Sequence, residues 1–121
     1  MDVLAVGLGS FLIVVGITHF LVPRYYLSLV PPWVPQARLV VFGSGLVEIA
    51  IGMGLLFEGA RPVAAWGAAA LMAIYVGTHM DALLRARADE DRWLDRPAGA
   101  AARVLVNLVY LAWAGAVALT V

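Results

Sequence analysis

Leu39–Phe57 reads LVVFGSGLVEIAIGMGLLF. One ionisable side chain, Glu48, stands in an otherwise apolar run of the length that crosses a hydrocarbon layer, about 20 residues. An acid in the middle of such a run is costly unless it faces other protein. Helical spacing puts Gly45, Glu48 and Gly52 on one face. Small residues mark the faces where membrane helices approach closely. The stretch therefore predicts a transmembrane helix that turns its carboxyl inward, which requires further helices to receive it.

Three more stretches qualify: Val3–Val22, Pro62–Leu84 and Ala101–Val121. The first lacks a basic leader and exceeds the apolar core of a signal peptide, so it reads as a retained helix. The expected fold is all-α, an up-and-down integral membrane bundle of four helices in one domain. Strands are excluded because lipid cannot satisfy open sheet edges. Composition agrees: 64% of the 121 residues are hydrophobic, 13% are charged and mean hydropathy is +0.94. Such a chain cannot coat a globular surface with polar groups. Net charge is zero, so nothing points to nucleic acid; the expected surroundings are the lipid bilayer. With neither cysteine nor lysine, thiol chemistry and Schiff bases are absent from this chain.

The linkers differ. Arg24–Arg38, RYYLSLVPPWVPQAR, is aromatic and broken by Pro31, Pro32 and Pro35, which predicts a short interfacial helix and then an extended turn over the bundle. Arg85–Pro97 mixes acids with arginines and is expected in water. Arg24, Arg38, Arg85, Arg87, Arg92, Arg96 and Arg103 fall on one side, against Arg61 on the other. The positive-inside rule then places the arginine-rich linkers in the cytoplasm and both termini outside.

Val15-Gly16-Ile17-Thr18-His19 resembles Val76-Gly77-Thr78-His79, and Leu46-Val47-Glu48 aligns with Leu108-Val109-Tyr110. Two related helical hairpins or chance likeness among apolar helices account for this equally well. His19 and His79 lie near the arginine-rich ends of helices one and three, and Asn107 near that end of helix four. Glu48 lies deeper. Helical side chains lean toward their own N-terminus, so the four groups converge in one layer.

His19, Glu48 and His79 are the candidate catalytic residues; Trp33, Tyr75, Asn107 and Tyr110 are the candidate ligand-binding ones. Haem between the two histidines would need a wide apolar slot. A His-Glu-His metal site has suitable ligand types but unequal depths, and no metal is expected. A lipophilic ligand such as a quinone fits best: it needs an apolar chamber, a few polar groups for its head, and a gate, here the linker around Trp33. The competing reading is a non-catalytic assembly or scaffolding protein whose polar layer fixes helix register.

Gly16-Ile17-Thr18-His19-Phe20, Pro23, Tyr26, Pro31-Pro32-Trp33-Val34-Pro35 and Gly45-Leu46-Val47-Glu48-Ile49-Ala50-Ile51-Gly52 together resemble the DoxX-like family of small four-helix membrane proteins. Arg61-Pro62, Ala64-Ala65-Trp66-Gly67 and Asn107 extend the likeness over nearly the whole chain. The resemblance implies a bacterial cytoplasmic membrane location. It also implies association with membrane oxidoreductases, the family taking its name from a subunit of a thiosulfate:quinone oxidoreductase. Eukaryotic relatives act as assembly chaperones. His19 and Glu48 carry over by motif. The long charged linker Arg85–Pro97 departs from the family pattern and suggests a partner contact; a homo-oligomer is the other association considered.

Overall fold

The computed structural model describes residues 2–121. Its order is α1 (Val3–Leu21), α2 (Pro23–Leu27), α3 (Ala37–Leu56), α4 (Arg61–Leu84), a 3-10 turn at Trp93–Asp95, and α5 (Pro97–Thr120), with no strand among the described residues. The four long helices form an up-and-down bundle, and each is long and apolar enough to cross a membrane. The protein is a multi-pass membrane protein.

The helix ends follow from local chemistry. The Asp2 carboxylate accepts from the Leu4 and Ala5 amides at 3.0 and 3.2 Å, capping α1. Pro97 stands in the first turn of α5, where its missing N–H costs nothing. α5 thus begins four residues before the apolar window Ala101–Val121 suggested. Hydropathy marks what lies in lipid, whereas the helix starts earlier, under the Trp93–Asp95 turn. Gly99 packs so closely beneath Trp93 and Leu94 that a Cβ there would meet backbone.

α1 and α3 pack backbone to backbone. A Cβ on Gly52 would stand 2.6 Å from the Gly9 carbonyl oxygen, and one on Gly16 would stand 2.7 Å from that of Gly45. Without a hydrophobic force between helices in lipid, such close contact is what holds them together. α4 and α5 form the second close pair. The seams between the pairs close at the end where the chain begins and ends, around Leu8, Leu12, Leu55, Ala65, Ala68, Ala114 and Val117. The Trp113 indole donates to the Leu4 carbonyl across one seam at 3.1 Å. Toward the arginine-rich end the pairs separate and leave a chamber.

Candidate functional site

The chamber measures about 650 Å³ and is walled mostly by apolar side chains from every helix and from the first linker. Ligand pockets commonly run from about 300 to 1,000 Å³. Val40 on α3, Ile74 on α4 and Val106 on α5 border the chamber and are exposed, Ile74 by 63%, so the chamber is not sealed within the bundle.

Two polar clusters reach into it. In the first, Glu48 is 1% exposed. Its Oε2 lies 3.1 Å from His19 Nε2 on α1 and accepts from the Tyr75 hydroxyl on α4 at 2.7 Å. His19 Nδ1 lies 2.8 Å from the Val15 carbonyl, which can only accept, so Nδ1 carries a proton. The contact between His19 and Glu48 then holds one further proton, on the ring or on the acid. Gly45 allows this approach, since a Cβ there would stand 2.8 Å from the His19 Cβ. Tyr26 of α2 stacks on the His19 ring, centroids 3.8 Å apart, and shares a hydrogen bond with the Thr18 hydroxyl. Burial pushes the Tyr26 hydroxyl above the ordinary tyrosine value, and the Thr18 bond opposes this.

In the second cluster Arg103 Nε donates to His79 Nδ1 at 2.9 Å. A nitrogen that accepts is bare, so the His79 ring is neutral and its proton is on Nε2. Arg103 Nη1 lies 3.3 Å from the Leu94 carbonyl and 3.5 Å from Asp95. Asn107 Nδ2 donates to the Arg103 carbonyl at 2.8 Å. Arg103 also borders a cleft of about 270 Å³ between the two linkers, lined by Asp81, Arg85, Glu90 and Asp95.

Glu48 Oε1, His79 Nε2, Arg103 Nη2 and Asn107 Oδ1 have no hydrogen-bond partner among the described residues. None is sealed from open space, since no fully buried side-chain N or O among the described residues lacks a partner. The open space that all four residues border is the chamber.

The sequence places His79 with Glu48 in one converging layer; the structure pairs His79 with Arg103 instead. His19, Glu48, Tyr75, His79, Asn107 and Tyr110 all border the chamber. Trp33 does not: it is 67% exposed, while Pro31 and Val34 beside it form the roof. With three prolines the linker turns tightly, so the indole points away from the roof that its neighbours make. A haem held by both histidines would have to displace Glu48 or Val15 from His19. No group of three or more histidines and acids is placed to hold a metal among the described residues. Arg103 and Tyr26 were missed as site residues. In sequence Arg103 reads as a flanking charge that begins a polar stripe with Asn107 and Tyr110 at helical spacing, and Tyr26 as an interface aromatic with no spacing signal of its own.

The chain belongs to the family described as domain of unknown function DUF8561, whose model matches residues 8–118. Neither a curated protein nor a solved structure matches the chain. The match spans both clusters and both linkers, so the whole chamber lies within the family domain.

Proposed function

We propose that this protein binds a quinone-like lipophilic molecule in the chamber and serves as a membrane subunit or small enzyme of oxidoreductase chemistry. The observation that carries the reading is the Glu48 carboxyl: buried, bonded through one oxygen to His19 and Tyr75, with the other oxygen unpartnered on the wall of a mostly apolar chamber. A buried acceptor without a partner costs free energy that a ligand donor would recover. The proton held between His19 Nε2 and Glu48 Oε2 leaves Oε1 an acceptor, which suits a head that presents a hydroxyl. The DoxX-like resemblance supports the same class of ligand, a bacterial cytoplasmic membrane and an oxidoreductase partner. Arg24, Arg85, Arg87, Arg92 and Arg96 between the long helices, with Arg38 in the first turn of α3, support cytoplasmic linkers and outward termini.

The test is mass spectrometry of lipids that co-purify in mild detergent, with thermal melting to check folding. Wild type retains a quinone-like lipophile, and Glu48→Gln or His19→Ala lowers the amount about tenfold. Equal retention in both variants would overturn the reading.

A scaffolding role is the second reading, favoured by a separate observation. The polar contacts tie three seams: His19 to Glu48 joins α1 and α3, Glu48 to Tyr75 joins α3 and α4, and His79 to Arg103 joins α4 and α5. Under it the same substitutions lower the melting temperature or the recovery of a partner and leave lipid content unchanged.

A further inference from the structure

We infer that Arg103 anchors the carboxylate of an acidic amphiphile whose apolar part lies in the chamber. This rests on the chamber being a lipophile site and adds the charge of what it takes.

Arg103 stands where two unlike spaces meet. On one side is the chamber, walled mostly by apolar side chains; on the other is the cleft between the linkers, lined by Asp81, Arg85, Glu90 and Asp95. That junction suits an amphiphile, with apolar space for the chain and a placed polar group for the head. Arg103 is itself only 8% exposed, although a guanidinium keeps its charge.

The charge on Arg103 is not balanced. Its nearest acid is Asp95, but Arg92 holds both oxygens of that carboxylate, at 2.9 and 3.1 Å. Such a two-pronged pair takes up the carboxylate's charge and leaves Arg103 Nη1 a contact of 3.5 Å. Asp81 pairs with Arg85, and Glu90 is exposed and outside ion-pair distance of Arg103. On the chamber side, His19 and Glu48 share one proton beyond the one His19 gives to Val15, so together they are neutral. His79 is neutral because its Nδ1 accepts from Arg103. The other titratable groups on the chamber wall are the phenols of Tyr25, Tyr26, Tyr75 and Tyr110, which add no positive or negative charge at neutral pH. One positive charge therefore borders the chamber with nothing opposite it. A buried charge without a partner is costly, and an acid group on the ligand supplies the partner.

The free hydrogen-bonding groups have the matching sense. Arg103 Nη2 and His79 Nε2–H are donors without protein partners, and a carboxylate only accepts. Glu48 Oε1 does not repel this head at contact range. Tyr75, which bonds Glu48, and His79, which bonds Arg103, are four residues apart on α4, about 6 Å along its axis. A hydroxyl on the same molecule could meet Glu48 while the carboxylate stays at Arg103.

The experiment compares decanoate with 1-decanol, which share one chain length, at about pH 8, where the carboxylate is ionised. Each is mixed with the full chain in non-ionic detergent, and retained probe is measured by mass spectrometry after gel filtration. Decanoate should be held about tenfold more tightly than decanol. Arg103→Gln should erase this preference by lowering decanoate alone, and Arg103→Lys should keep part of it. Two linker variants guard against a misfolded Arg103 variant. Arg92→Gln frees the Asp95 carboxylate to turn on Arg103 and should lower decanoate retention. Asp95→Asn removes that competitor and should raise it. Both variants break the same Arg92–Asp95 bond, so a fall in both would trace decanoate to linker packing and overturn the inference. Equal retention of decanoate and decanol in the unaltered chain overturns it too. If excess acetate displaces decanoate as well as unlabelled decanoate does, the site takes a small free anion from the cleft and the amphiphile is wrong. If decanoate fails while a co-purifying lipophile still depends on Glu48, this inference falls alone; if neither is retained, the chamber reading falls with it.

Discussion

The same four long helices make two different interiors. Where the chain begins and ends, they close on Ala5, Leu8, Leu12, Leu55, Ala64, Ala65, Ala68, Ala114, Val117 and Ala118. Near the arginine-rich linkers they stand around a chamber of about 650 Å³ bordered by His19, Glu48, Tyr75, His79, Arg103, Asn107 and Tyr110. Side-chain size changes along the helices. Alanines let α4 and α5 approach the α1–α3 pair at the closed end, whereas rings and long polar chains hold them apart at the other. The glycine contacts of α1 and α3 run through both halves, so that pair is a fixed wall and the opening lies between pairs. One half is close-packed and the other encloses a chamber, and the tight turn between α3 and α4 lies at the closed end.

This contrast can be broken by substitution. The largest effect is expected for Leu8→Ala in the closed half: about 2–5 kcal/mol of destabilisation from lost contacts and a residual cavity, read by thermal or denaturant unfolding in detergent. Val106→Ala, which borders the chamber and is exposed, should stay within about 0.5 kcal/mol. Equal costs would show that the halves are packed alike.

Next in size is Gly52→Ala, whose new Cβ meets the Gly9 carbonyl oxygen; about 1–3 kcal/mol is expected in the same assay. Gly77→Ala meets nothing within 4 Å and serves as its control. A similar loss for both would remove the argument that α1 and α3 form the fixed wall.

Tyr75→Phe deletes one hydrogen bond between the two pairs and should lower stability by about 1 kcal/mol. It leaves Glu48 bonded to His19 alone, so ligand retention should drop more than melting temperature does. A melting shift without any change in retained lipid favours the scaffolding reading.

The smallest effect concerns the linker over the open end. The hydrogen bond from Arg92 holds the Asp95 carboxyl below its ordinary value. A carboxyl depressed in the folded state adds stability above its unfolded value, about pH 4, and that contribution is lost as pH falls through the lower folded value. Amides of Arg85–Pro97 should then exchange faster at pH 3 than their intrinsic rates require, while those of α1 and α3 do not. Arg92 also donates to Ser28 at 2.8 Å, tying the two linkers together. Arg92→Ala should therefore speed exchange in both linkers at neutral pH.

Much of the fold was legible because lipid imposes one rule: a span of sufficient length must be helical and must bury its polar groups. Glu48 with Gly45 and Gly52 could be read as a packing face, and the α1–α3 contact lies there. The start of α5 was less legible because its first turn lies outside the apolar window. In the site, residue types and approximate depths were readable from one-dimensional spacing. Partnerships were not, since reach across a gap depends on the tilt and rotation of neighbouring helices. His79 illustrates this: its long neighbour Arg103 reaches it on α5, while Tyr75 one turn away reaches Glu48 instead.

By itself the sequence determined that four apolar helices cross a membrane and that a few polar side chains must turn inward, because hydrocarbon gives neither backbone nor charge another choice. The tertiary structure alone decided that the helices pair as α1 with α3 and α4 with α5, and that the pairs splay at one end. It also decided which oxygen and nitrogen atoms are left without partners in the space between, because those outcomes depend on distances between side chains on separate helices.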